Sequence, residues 1–248
     1  MKKRVLFVKI VAVLMAAILW LSCIPFFIFA DMSSNVNYNL IADGGFEWAT
    51  LDSGWTHSDK NTPFASISTS EKYAGNQSLY LNTDSGWEFS SYQFTAEQNT
   101  KYAISMMVKI PEGAAPPRIN VENLTGSRLV NYIKIDNNGN IKPGDGWKEF
   151  TYTFTTQSDK DLKFIFQAYK DTSARAYIDD LSIKKVVNVT ATAIGGTISG
   201  LPNTVTLGDQ INLTAEANQG YEFAGWYNGD EKVSDQSAYT FTATDDIA

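Results

Sequence analysis

Two adjacent carboxylates, Asp179 and Asp180, stand in the middle of the apolar run Tyr177-Ile-Asp-Asp-Leu-Ser-Ile183. A strand alternates its faces, so Tyr177, Asp179, Leu181 and Ile183 are expected on one side and Ile178, Asp180 and Ser182 on the other. Leu181 and Ile183 are core residue types, which puts Asp179 on the buried side. A buried carboxylate needs a partner: a cluster of hydrogen-bond donors, a basic side chain or a metal ion. The same alternation keeps the pair from acting as a glycosidase acid and base, because two such carboxyls must converge on one bond. His57, in Trp55-Thr-His-Ser-Asp59, is the only histidine, and no Gly-x-Ser-x-Gly elbow accompanies it. Phosphate loop, zinc spacing and dinucleotide fingerprint are also missing from the sequence. The expectation is a chain that is not an enzyme.

The elements that hold the pair are strands. Periodicity is of the strand kind almost throughout, with turn clusters such as Asp43-Gly-Gly45, Asn137-Asn-Gly139 and Pro143-Gly-Asp-Gly146 between short apolar runs. Within Phe150-Thr-Tyr-Thr-Phe154 the aromatic residues share one face, and Leu162, Phe164, Phe166 and Ala168 repeat the pattern, so these stripes are read as core. Trp55 and Trp147, each after a glycine turn, are read as structural too. Many short strands of this kind predict an all-β chain built as a β-sandwich, with the stretch 38–41 as its first strand and 129–135 among the later ones. Near Val186 the pattern resets. Residues 187–248 hold three candidate strands, at 187–193, 210–217 and 238–244, with Gly220-Tyr-Glu-Phe-Ala-Gly-Trp-Tyr227 between the second and third. About sixty residues without disulfides make a marginal unit alone, and the abrupt end suggests a piece of something longer.

The opening Met1-Lys-Lys-Arg4, followed after Lys9 by apolar residues to Ala30, has the pattern of a secretory signal. The expected organisation is a signal at 1–30, a linker at 31–36, a sandwich at 37–186 and a small β-rich unit at 187–248, secreted or at the cell surface; an uncleaved anchor is the other reading of the start. The single cysteine, Cys23, would leave with the signal, so no disulfide is expected. The chain has 20 Lys and Arg against 27 Asp and Glu, a formal charge of −7, and four of the basic residues (Lys2, Lys3, Arg4, Lys9) lie in the leader. Such an acidic remainder argues against nucleic acid or an anionic membrane as partner and suits neutral ligands or divalent cations.

At Asn39-Leu-Ile-Ala-Asp-Gly-Gly-Phe-Glu47, Trp55, Tyr73-Ala-Gly-Asn-Gln-Ser-Leu79 and Tyr177-Ile-Asp-Asp-Leu-Ser-Ile183, the chain resembles carbohydrate-binding modules of the family 4, 9 and 22 group, from about Asn37 to Lys185. The resemblance implies a galactose-binding-like jelly roll that binds polysaccharide, is commonly appended to a glycoside hydrolase beyond the C-terminus here, and holds a structural calcium ion. The matching calcium residues would be Glu47 and Asp179, with Glu71 as a third candidate; the alternative is that Asp179 only accepts main-chain hydrogen bonds in a tight corner. The C-terminal segment resembles internalin-type repeats of bacterial surface proteins through Gly220–Tyr227, which implies a spacer or adhesive unit. A structural or adhesive surface module without sugar binding is therefore the second reading of the whole chain.

Sugar binding works by stacking pyranose rings on exposed aromatic faces and by hydrogen bonds from polar side chains. Trp87, in Thr83-Asp-Ser-Gly-Trp-Glu88, has no core partner in the local pattern. Tyr132 lies opposite in parity to Ile133, Tyr169 opposite to Ala168, and Tyr92 is a fourth candidate. Asn120, Glu122, Lys134 and Gln167 are their polar neighbours on outward positions. Together they are expected to line one sheet face, although surface tyrosines can simply shield a sheet.

Overall fold

A computed structural model describes residues 4–11, 37–48, 50–51, 54–58, 64–84, 87–169 and 173–244. In chain order the strands are β1 (Arg4–Val11), β2 (Trp55–His57), β3 (Ala65–Ser68), β4 (Ser78–Thr83), β5 (Phe89–Thr95), β6 (Lys101–Lys109), β7 (Arg118–Asn123), β8 (Arg128–Lys134) and β9 (Lys148–Thr155). There follow β10 (Asp161–Gln167), β11 (Ala174–Val187), β12 (Thr190–Ile194), β13 (Gly196–Ser199), β14 (Val205–Thr206), β15 (Gln210–Ala217), β16 (Tyr221–Asn228), β17 (Glu231–Ser234) and β18 (Ala238–Thr242). The chain is all-β, and no helix among the described residues is long and apolar enough to cross a membrane. It divides into two compact units, one of them Asn39–Lys185 and the other made of the described residues on either side.

The larger unit is a β-sandwich. One sheet runs β2-β5-β10-β7-β8 and the other β3-β4-β11-β6-β9, with antiparallel neighbours throughout. Alternation turns Leu162, Phe164 and Phe166 of β10 and Ile119 and Val121 of β7 inward, into one cluster with Leu79, Leu81, Ile104, Met106, Val108 and Ile178 from the facing sheet. Trp55 closes one end, stacked on Phe166 at 5.9 Å between ring centroids. The stretch 38–41 is not a strand. Its Asn39 side chain instead accepts the Ile41 and Ile183 N–H groups at 3.0 and 2.9 Å and donates to the Leu181 carbonyl at 2.8 Å, tying the chain start to β11.

β11 carries a bulge that the alternation argument did not foresee. Asp179 pairs with Met107 and Ser182 with Ser105, so three steps on β11 match two on β6. The extra residue is Asp180, whose φ of 49° is a left-handed conformation that Asp tolerates better than most side chains. The insertion changes the parity of the strand. Ala174, Ala176 and Ile178 face the core before it and Leu181 and Ile183 after it, while Tyr177 stacks on Tyr80 at 4.6 Å on the other side. Asp179 is buried, as expected, but it is not on the core-facing parity with Leu181 and Ile183; residues 73–74 cover it from outside the sheet.

In the smaller unit, β12-β1-β16-β17 and β13-β15-β18 form two sheets around Val187, Val205, Ile211, Leu213, Ala215, Trp226 and Ala243. The Gly220–Tyr227 segment, expected as a connection, is mostly strand β16 and buries Trp226 completely. Of the expected signal, residues 1–3 and 12–30 lie outside the described residues, as does the linker at 31–36. Arg4–Val11 form β1, antiparallel to β12 and parallel to β16.

Candidate functional site

Two places gather the residues singled out by the sequence. The first is the corner formed by the loop 71–77, the turn 43–47 and the bulge of β11. Gly44 lies so close to β11 that a Cβ would sit 1.8 Å from the Leu181 carbonyl oxygen, and its own carbonyl accepts the Leu181 N–H at 2.8 Å. Only glycine permits that approach. Asp43 turns the chain by accepting the Glu47 and Trp48 N–H groups at 3.0 and 2.9 Å.

Glu47 and Asp179 then hold the same loop from two sides. Glu47 Oε1 accepts the main-chain N–H groups of Asn76 and Gln77 at 2.8 and 3.0 Å, and Oε2 accepts the Asn76 side-chain amide at 3.3 Å. Asp179 Oδ2 accepts the Tyr73 and Ala74 N–H groups at 2.8 and 3.1 Å, and Oδ1 that of Asp180 at 2.8 Å. Hydrogen bonds from Gln77 and then Asn76 hold the Glu47 carboxyl below its usual range. Loss of water, and then the neighbouring Asp179, push the Asp180 carboxyl upward. Glu71 stands apart from the other two acids, in a 2.6 Å ion pair with Lys109.

The donor set fits main-chain amides better than a cation. Five N–H hydrogens already point at the Asp179 oxygens and Glu47 Oε1, and the positive end of each N–H dipole opposes a metal ion there. Among the described residues no group of three or more His, Cys, Asp or Glu side chains is placed to share an ion. A calcium ion in this corner would depend on the exposed Glu47 carboxylate and on main-chain carbonyls.

The second place is the outward face of the sheet β2-β5-β10-β7-β8. Gln167 pairs with Phe89 and Ala168 N–H donates to the Glu88 carbonyl at 2.9 Å, so the ladder carries Trp87 and Tyr169 to the same sheet end. Their rings meet at 5.0 Å and 66°. Tyr132 joins them, 6.2 Å from Trp87 and 6.4 Å from Tyr169. A second irregularity makes this possible: between Ile119 and Val121, β8 spends three steps on two of β7, and Tyr132 takes a φ of 54°. The main-chain N–H freed there donates to Asn120 Oδ1 at 2.7 Å, and Asn120 Nδ2 donates to Gln167 Oε1 at 2.9 Å. Asn120 is completely buried. The sequence places it among the outward contact residues; its complete burial makes it instead the support that aims Tyr132.

Two arginines, not anticipated from the sequence, complete this face. The Arg118 guanidinium lies 4.2 Å from the Tyr169 ring centroid and that of Arg128 lies 4.3 Å from Tyr132. Arg118, Arg128, Tyr132 and Tyr169 share no local spacing that marks them as a group; only the pairing of β7 with β8 and the course of residue 169 bring them together. Trp87 remains 47% exposed and Tyr169 42%, and among the described residues no arginine covers Trp87. Tyr92 does not belong to the cluster. It pairs with Phe164 on the core side, packs on Trp55 at 5.5 Å and its hydroxyl accepts the Ala42 N–H at 3.3 Å, because the phase of β5 turns it inward. Two exposed aromatic residues were missed, Trp48 and Tyr73; Tyr73 lies on the loop 71–77, 6.1 Å from Trp147.

The chain is similar to known proteins in both of its units. A family profile described as a carbohydrate binding domain matches residues 38–173, more than half of the chain. A second, described as a divergent InlB B-repeat domain, matches residues 187–247. The comparison with curated proteins finds no match. Among solved structures, the CBM22-1 xylan-binding domain from Paenibacillus barcinonensis Xyn10C is 21% identical, covering 57% of this chain and 91% of its own, with a TM-score of 0.42. TmCBM61 in complex with beta-1,4-galactotriose is 14% identical, covering 59% and 98%, at 0.44. A structure titled for CBM4 structure and function is 16% identical, covering 58% and 99%, at 0.41.

Proposed function

Because the chain belongs to the family of carbohydrate binding domains whose profile matches residues 38–173, we propose that it is a non-catalytic module that binds a polysaccharide on the β2-β5-β10-β7-β8 face. The observation that supports this most is the ring cluster of Trp87, Tyr132 and Tyr169. Trp87 and Tyr132 each meet Tyr169 edge to face, and Trp87 keeps a large exposed surface. Such a surface suits the apolar face of a pyranose, while Gln167 offers hydrogen bonds beside it. Asn120, buried behind the rings, fixes their geometry before ligand arrives, and that preorganisation lowers the cost of binding.

In this reading the module is secreted and acts by raising the concentration of an attached partner, such as a glycoside hydrolase, on its polysaccharide. The InlB-type unit at 187–247 suits a spacer at a bacterial surface and favours the second reading, an adhesive module. Calcium is retained as a proposal for the corner at Glu47 and Asp179, with Glu71, held by Lys109, left out of its shell. When bound it would neutralise the carboxylates and stiffen the loop 71–77. Thermal melting with calcium and with chelator tests this: a higher Tm with calcium that is lost in Glu47→Ala supports the ion, and identical curves overturn it.

Affinity gels cast with xylan, β-glucan, galactan and pectin test the binding proposal. Retardation of the native chain in at least one gel, abolished in Trp87→Ala with unchanged Tm, is expected. Free migration in every gel overturns sugar binding and leaves the adhesive reading.

A further inference from the structure

The charges around the ring cluster point to the kind of sugar. Four basic residues share this face of an otherwise acidic chain: Arg118, Arg128, Lys134 and Lys163. Glu122, itself buried, takes Lys163 at 3.0 Å and Arg128 at 3.5 Å, so both of those cations are ion-paired, although one carboxylate offsets only one of the two charges. Arg118 and Lys134 are left. They are register partners across β7 and β8, so their side chains emerge next to each other on one face. Among the described residues neither has a carboxylate partner. Like charges set opposite each other on a sheet cost stability, and an anion between them removes that cost.

Arg118 is also prepared for such an anion. Its guanidinium carbon lies 4.2 Å from the Tyr169 ring centroid, a contact that holds the group in place without using its N–H hydrogens on a carboxylate, and a guanidinium suits a planar, bidentate acceptor. Tyr169 is in turn the edge-on partner of Trp87. A pyranose seated on Trp87 therefore has the two unmatched cations beside the rings that hold it. The hydroxymethyl group of a neutral hexose would leave both charges unmatched, whereas the carboxylate of a uronic acid would answer them. We propose, resting on the sugar-binding reading above, that this face selects a polysaccharide containing uronic acid, with Arg118 and Lys134 as the residues that recognise the carboxylate.

The test is affinity electrophoresis of the full chain in gels containing polygalacturonate, alginate or glucuronoxylan, each beside its carboxyl-reduced form, in which the charge is removed and the glycan backbone kept. Binding to at least one acidic polymer about tenfold tighter than to its reduced form is expected at low salt. The ratio should fall severalfold in Lys134→Gln, an exposed position whose change leaves the fold intact, and towards unity in Arg118→Gln. Equal affinity for the acidic and reduced forms overturns the choice of uronic acid and leaves sugar binding standing. A preference that survives both substitutions overturns the assignment of the two residues. Retention by none of the six polymers, or by neutral xylan or β-glucan alone, overturns the inference; only loss of retention by every gel overturns sugar binding with it.

Discussion

Asn120 holds Tyr132 through a single 2.7 Å hydrogen bond from the Tyr132 main-chain N–H to its buried side-chain oxygen. The bond supplies an acceptor at the point where the β8 bulge removes the ladder partner, and it keeps an aromatic residue in a left-handed conformation that few side chains adopt. Asn120→Ala leaves that N–H without its acceptor and Gln167 without its donor. We expect a loss of about 1–3 kcal/mol of stability in urea unfolding, with weaker retention on polysaccharide gels at temperatures where the variant is still folded.

Asp179 plays the matching part at the other irregular strand. It takes three main-chain N–H groups, from Tyr73, Ala74 and Asp180. Asp179→Asn turns one carboxylate oxygen into an amide N–H that must face a donor, so about 1–3 kcal/mol should be lost. Faster amide hydrogen exchange confined to residues 71–77 would show that the loop has been released.

The two carboxyls that shift in opposite directions give opposite pH signatures. The Glu47 carboxyl is held below its ordinary 4.5, so it stabilises the fold above that pH, and the contribution is lost as the pH falls through the folded-state value. Glu47→Gln should lower Tm at pH 7, with the difference closing in acid. The Asp180 carboxyl is raised above its ordinary 3.8, so its ionised form is disfavoured in the fold, and the penalty disappears as the pH falls through the raised value. Asp180→Asn should raise Tm at pH 7 and lose that advantage in acid. Asn also accepts the φ of 49°. Melting curves from pH 3 to pH 8 check both signs.

The sandwich was legible because alternation is strong in its core strands. Leu162, Phe164, Phe166 and Ala168 are buried as their spacing requires. What spacing could not show are single-residue insertions. The extra residue at Asp180 reverses parity within one strand, so the burial of Asp179 is legible in the sequence, but its parity and the covering loop 71–77 are not. Trp87, Tyr132 and Tyr169 were recognisable as rings without core partners. Tyr92 was not recognisable as core, because the phase of a short strand such as β5 depends on its partner β10. Arg118 and Arg128 became visible only once strands distant in sequence were paired.

The sharpest test of ligand stacking on the cluster is the tryptophan emission of the native chain and of Trp87→Phe during titration with oligosaccharides prepared from a polysaccharide that retards the chain. Phenylalanine keeps a stacking ring but removes the reporting indole. The native chain should show a saturable change in emission and Trp87→Phe almost none, while gel retardation of the variant persists in weakened form. The same change in both proteins, or retardation unaffected by Trp87→Ala, would contradict binding at this face.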